Sequence, residues 1–297
     1  FAKLRHISTL YFLKPGPMSL QNTVQNSPNG PGYKEKATNT ENSPGLTKQR
    51  EEWIQLLKDI TYIIEQLNES NLNELAIELV KFNILWGQGL LVRLIMKSQI
   101  EHRDFKHSKN LAALVSVIDG LFPAIGELLI LRLILQFRRA YRKNNPRKCQ
   151  SSVQFLANLV NERICSEVIL LQILQLLLKD PTDFTIALSI LLLRTSLDVL
   201  ELRANKATSM VFERLRAIVF EGNITEKSVS SIESLIDKRN KSKMPKQPKE
   251  DDHEPHMITL DDQDIESKDH LNFFTYNNHY EELNQEYQSL RQEVLEP

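Results

Sequence analysis

Between Gln49 and Arg239 apolar residues recur every three or four positions, and short polar breaks separate the runs. Trp53, Leu56, Leu57, Ile60, Ile63, Ile64 and Leu67 make the first stripe, the spacing of an amphipathic helix that buries one face. Asn68-Glu-Ser-Asn71 interrupts it, and residues 72–82 resume the period. Gly87 and Gly89 mark a bend before residues 90–100. A polar stretch at 106–109 precedes an apolar helix over 111–121, and Pro123 suits the first turn of the next helix, which runs to Tyr141. Asn144-Asn145-Pro146 stops that helix and opens another through Val160. The pattern then predicts helices over 166–179, 184–197, 207–220 and 229–239. Thr182 or Asp183 is the expected cap of the second of these, and Thr225 that of the last.

Taken pairwise, these helices form hairpins of roughly 35 to 45 residues, the period of HEAT-type repeats. The fold class expected is therefore all-α: an α-solenoid of about five HEAT-like helical hairpins over residues 49–240, with an irregular helical bundle as the competitor. Residues 1–48 and 241–270 have a different character. Residues 18–47 are Asn, Ser, Thr, Pro and Gly with few apolar side chains, too few to offset the entropy of ordering, so residues 1–48 form a disordered arm. Residues 241–270 form a charged linker, with Lys241, Lys243, Lys246 and Lys249 ahead of an acidic run from Glu250 to Asp269. Residues 271–297 read as an extended C-terminal arm that ends in one amphipathic helix. Residues 1–17 are basic and acid-free, as organelle transit peptides are. With no initiating Met, and Met18 directly after them, translated upstream sequence or a fragment boundary fits better.

Composition narrows the function. Glycine is 9 of 297 residues, about 3% against a usual ~7%, which argues against glycine-turn folds such as dinucleotide-binding sheets. Lys plus Arg is 37 and Asp plus Glu 38, a net charge of −1, so no global polycation is present. Gly87-Gln-Gly89 lacks a third glycine and follows a helix, and no phosphate-cradling loop occurs. Cys149 and Cys165 lack metal-ligand spacing and sit in apolar helical runs, where a free thiol behaves as a small core residue in a reducing compartment. His253 and His256 flank Glu254-Pro255 and read as solvated linker histidines rather than zinc ligands. No run is long enough to span a membrane. The expectation is a non-enzymatic protein with no cofactor and no metal.

Two features stand out as candidate contacts. Arg138, Arg139, Arg142, Lys143, Arg147 and Lys148 are six basic residues without an acidic neighbour, across a helix end and the following loop. Cations at a helix C-terminus complement its dipole, and the same cluster could grip RNA phosphates or an acidic protein surface. Phe273, Phe274 and Tyr276 are aromatics in a polar tail, able to pack back on the solenoid or to anchor a partner as a docking arm. Arg132 and Glu127 are charges in very apolar helices, expected to pair between adjacent repeats.

Several segments resemble, in order, the MIF4G domain of nucampholin-type pre-mRNA splicing factors. They are Gly87-Gln-Gly-Leu-Leu-Val-Arg93, Phe122-Pro-Ala-Ile-Gly-Glu127, Arg132-Leu-Ile-Leu-Gln-Phe-Arg138 with Tyr141-Arg142, the Leu-rich run after Glu167 ending in Asp180-Pro-Thr-Asp183, and Phe212-Glu-Arg-Leu-Arg216. The tail, Leu271-Asn-Phe-Phe and Tyr287-Gln-Ser-Leu-Arg-Gln-Glu-Val-Leu295, is similar to the linker before that family's second, MA3-type module, which would begin about where this chain stops. The resemblance implies a nuclear, spliceosome-associated scaffold of HEAT-like pairs that supports catalytic activation. Its implied partners are spliceosomal core proteins, small nuclear ribonucleoproteins, pre-mRNA and a DEAD-box or DEAH-box helicase. A MIF4G adaptor of translation or mRNA decay, partly cytoplasmic, is the alternative. The resemblance also places Tyr62, Glu65 and Gln66 where helicase-binding members carry a small residue and an Asn-Lys pair. A bulky ring and a carboxylate at that contact predict weakened helicase binding.

Overall fold

The computed structural model describes residues 44–102, 104–241, 254–262 and 265–295. Eleven α-helices occur among them: α1 Pro44–Gln66, α2 Leu72–Lys81, α3 Gln88–Glu101, α4 Phe105–Leu121, α5 Pro123–Arg142, α6 Pro146–Asn161, α7 Val168–Lys179, α8 Asp183–Arg203, α9 Asn205–Glu221, α10 Glu226–Lys241 and α11 Tyr280–Leu295. A single 3-10 turn, Asp269–Asn272, interrupts the extended tail. Of the arm expected to be disordered over 1–48, residues 1–43, with the question of a leader, lie outside the described residues, whereas 44–48 are helical; 242–253 and 263–264 of the charged linker also lie outside.

Helices α1 to α10 form five antiparallel hairpins stacked in two layers. The even layer is continuous, with α2 against α4, α4 against α6, α6 against α8 and α8 against α10. In the odd layer α1 packs on α3, α3 on α5, and α7 on α9, while α5 and α7 are not closely packed on each other. This is the expected all-α solenoid. One contiguous core runs through it, from Ile60 in α1 through Leu133, Phe155 and Leu193 to Leu235 in α10.

Local chemistry sets the breaks. Thr182 caps α8 in a reciprocal pair with Thr185, and Asn145 accepts from the Lys148 N–H where Pro146 opens α6. Gly222 ends α9 at φ +70°, a left-handed conformation that glycine adopts without the Cβ clash other residues meet there. The Asp183 carboxylate accepts from the hydroxyls of Thr225 and Ser228, at 2.7 and 2.6 Å, and ties the start of α8 to that of α10. Those bonds hold it below the usual carboxylate range.

Three boundaries differ from the sequence reading by five residues or more. Helix α4 begins at Phe105 rather than Leu111, because the Asp104 carboxylate caps the Lys106 N–H. The polar 106–109 stretch thus becomes its first turn. Helix α8 continues to Arg203, past the expected end at 197. Helix α1 starts at Pro44, five residues before Gln49, with Lys48 bonded to Glu281 at 2.6 Å and Gln49 bonded to Asn277. Both partners lie in the C-terminal segment.

Candidate docking site

The basic sequence cluster is dispersed by the helix that carries it. Successive residues on a helix point about 100° apart, whereas i and i+4 share a face. Arg138 and Arg142 therefore face the α7 side of α5, in a groove with Tyr141, Gln172, Lys179 and Asp261. Arg138 donates to the carbonyls of Leu260 and Asp262, so the chain's own tail engages its guanidinium. Arg139 and Lys143 face the other way, toward α3, and Lys148 from α6 joins them there. Arg147 stands apart, with its guanidinium 3.5 Å from the Ile100 carbonyl.

The α3 side brings in two cations that the sequence reading did not single out. Arg93 and Lys97, one turn apart on α3, line the same groove of about 490 Å3 as Arg139, Lys143 and Lys148. All five are exposed. Half-buried Met96, Ile100 and Leu135 lie between them. Among the described residues, no carboxylate comes within ion-pair distance of Arg93, Arg139, Lys143 or Lys148, and Lys97 reaches Glu101 only at 3.9 Å.

The second element of the site is the C-terminal segment, which runs back along the body from α7 to α1 as a strap. At its start His256 pairs with the loop before α7: its N–H donates to the Ile164 carbonyl and its carbonyl accepts from Ser166. The His256 ring lies 2.8 Å from the carboxylate of Asp119, which is fully buried in α4. Burial disfavours the charged imidazole, but the hydrogen bond and charge of Asp119, with Glu127 beyond, outweigh it and raise its pKa above the ordinary value. Gly126 makes this pair possible, because a Cβ there would stand 1.9 Å from the Asp119 oxygen. His256 is thus not the solvated linker residue expected from sequence, for it has a buried anion to meet. His253 lies outside the described residues. Further on, the Leu260 N–H donates to Gln172 of α7 at 2.7 Å while Arg138 of α5 binds its carbonyl. The strap bridges the pair of odd-layer helices that lack close packing.

Arg132 holds the middle of the strap. It is 6% exposed, and its guanidinium donates to the carbonyls of Ser267 (2.7 Å), Lys268 (2.9 Å) and Gly89 (3.0 Å) and to the side chain of Asn272 (2.8 Å). The sequence suggested an ion pair between repeats. The fork reads backbone carbonyls instead, because Lys268 in a left-handed conformation and the 3-10 turn after it bring the tail down over a helix that has glycine at position 89. Leu271 packs directly on that glycine.

Aromatic side chains secure the end of the strap. Trp53 and Trp86 meet edge to face at 5.1 Å, Phe274 adds to Trp53 at 6.3 Å, and Tyr280 packs on Trp86 at 4.6 Å. The Tyr287 hydroxyl donates to the Val80 carbonyl at 2.8 Å, which fixes α11 on the end of α2. Of the three candidate docking aromatics, Phe274 packs on the chain's own body, while Phe273 and Tyr276 remain 64% and 44% exposed. Tyr62, Glu65 and Gln66 are all exposed near the C-terminal end of α1. The two thiols are buried, which pushes Cys149 up to about 11 and Cys165 up to about 12. Among the described residues no cluster of metal-ligating side chains occurs, and no helix is long and apolar enough to cross a membrane.

No protein-family model matches the chain. Curated proteins do. The chain is 36% identical over 269 residues to the pre-mRNA-splicing factor CWC22 of Debaryomyces hansenii, a match that covers 88% of this chain and 42% of that protein. It is 36% identical over 255 residues to the Drosophila melanogaster homologue, covering 83% and 19%, and 35% identical over 260 residues to the human one, covering 84% and 28%. The chain spans less than half the length of these relatives. Identity at this level over more than four-fifths of the chain, in fungal, insect and human proteins, means that the chain belongs to the CWC22 family of pre-mRNA-splicing factors.

Proposed function

We propose that this chain is a docking scaffold in nuclear pre-mRNA splicing, supporting catalytic activation of the spliceosome by binding rather than by chemistry. The observation that carries the reading is its kinship with splicing factors from fungi to human over more than four-fifths of its length. The solenoid suits the role, since stacked hairpins present long surfaces while each repeat contacts only its neighbours. Spliceosomal core proteins, small nuclear ribonucleoproteins and pre-mRNA are the partners proposed. Arg138, Arg139, Arg142, Lys143, Arg147 and Lys148 are the proposed contacts to RNA or to an acidic protein. Phe273 and Tyr276, exposed on the strap beside Phe274, are the proposed docking aromatics. Tyr62, Glu65 and Gln66 are proposed to weaken a helicase contact, because a ring replaces a small residue and Glu65-Gln66 replaces an Asn-Lys pair, which puts a carboxylate beside the contact and removes the lysine. The splicing names of the relatives favour this reading over an adaptor of translation or mRNA decay.

Sequencing RNA after depletion of the protein from the cells that encode it tests the role. Retained introns across many transcripts are expected within the first rounds of synthesis after depletion. Normal splicing with altered ribosome loading would overturn the reading.

A further inference from the structure

The groove between α3, α5 and α6 combines features that a solvated helix face does not need. Arg93 and Lys97 form a like-charged i, i+4 pair on α3, and Arg139 and Lys143 form another on α5, so each helix carries repulsion along its own face. Lys148 adds a fifth cation, and among the described residues the only carboxylate lining the groove is that of Asp269, at the edge formed by the strap. Between the cations lie the half-buried apolar side chains of Met96, Ile100 and Leu135. Charge of one sign at the rim over an apolar floor is the complement of a ligand that is both anionic and greasy.

We propose that this groove docks an extended acidic peptide of a partner protein, with acidic side chains on the cationic rim and alternating apolar side chains on Met96, Ile100 and Leu135. An extended strand sends successive side chains to opposite sides, which matches a floor and a rim that demand opposite chemistry. The strap shows that the neighbouring surface takes a chain segment: residues 267–272 lie across α3 and α5, Arg132 binds the carbonyls of Ser267 and Lys268, and Asp269 lines the groove. A single-stranded RNA fits less well. Such ligands stack their bases on aromatic rings, and none of the described residues lining the groove is aromatic. The apolar floor would also go unused by a phosphodiester backbone. The proposal deepens the docking reading above by assigning one surface its ligand class.

The test is fluorescence anisotropy with the purified full chain and three labelled probes: a peptide alternating glutamate and leucine, the same peptide with lysine for glutamate, and oligouridylate. Saturable binding of the acidic peptide is expected, with none for the lysine peptide. Arg139→Glu with Lys143→Glu is expected to weaken it by about tenfold or more, the loss of a few charge contacts acting together. Met96→Gln is expected to weaken it by roughly threefold, because a floor contact loses apolar area. Lys238→Glu on α10, remote from the groove, is expected to leave it unchanged, with circular dichroism to verify that each variant folds. Failure of the acidic peptide to bind would overturn the proposal. So would oligouridylate binding that falls with the charge reversal but ignores Met96→Gln, in favour of an RNA site. Either result leaves intron retention after depletion as it was, so the groove and the splicing role fail separately.

Discussion

Replacing Arg132 by alanine will release the middle of the strap and cost about 3–5 kcal/mol of stability. Hydrogen bonds from a charged donor contribute ~1.5–3 kcal/mol each when buried, and Arg132 makes four. They do not add in full, because the carbonyls of Ser267 and Lys268 regain water once the segment lifts, whereas that of Gly89 lies under it. Loss of the aliphatic stem's packing adds to the effect. Urea unfolding gives the size of the change, and hydrogen exchange over residues 267–272 gives its place. The acceptors are carbonyls and an amide rather than carboxylates, so added salt should alter the loss little. Arg132→Lys should recover less than half, since one ammonium cannot span four acceptors reached by a planar fork. An alanine variant within ~0.5 kcal/mol of the parent, with protection of 267–272 intact, would show that the strap is held elsewhere.

Gly89→Ala should destabilise by about 1–3 kcal/mol, although glycine to alanine inside a helix ordinarily stabilises by up to ~1 kcal/mol. The reversal comes from contact with the strap. A Cβ at position 89 would stand 2.3 Å from the Leu271 carbonyl oxygen and 2.4 Å from its carbon. These are backbone atoms, so no side-chain rotation relieves the clash, and the segment must shift away from Arg132. Gly120→Ala in α4 is the matched control, since nothing lies within 4 Å of its new Cβ. Thermal or urea unfolding of the two variants should move in opposite directions. If Gly89→Ala stabilises the protein as Gly120→Ala does, the strap does not press on α3.

The solenoid was legible because its signal is local. Apolar spacing, Pro123 and Pro146 at helix starts, Asn145 and Thr182 as caps and Gly222 as a stop each act within a few residues, and each is met in the folded chain. Even the error at α4 was local, a cap at Asp104 outweighed by a run of polar side chains. The strap was illegible for the opposite reason. Arg132 meets residues 267–272, and Asp119 meets His256, across more than 130 positions, and no periodicity spans that separation. Hints existed in Gly89 at the start of a helix and in Asp119 within an apolar one, yet a lone buried charge does not say which segment will satisfy it. The basic groove lies between these cases. A helical wheel separates Arg138 and Arg142 from Arg139 and Lys143, but only the packing of α3 on α5 brings in Arg93 and Lys97. The folded chain replaces one run of six cations with separate surfaces of different chemistry.

Affinity capture of the tagged, full-length protein from splicing-competent nuclear extract tests its membership of the spliceosome most directly. Co-purification of small nuclear ribonucleoproteins and spliceosomal core proteins, enriched about tenfold or more over an unrelated helical bait (a ~1.4 kcal/mol preference), is the expected result. Recovery of ribosomal or cap-binding factors without small nuclear ribonucleoproteins would contradict it.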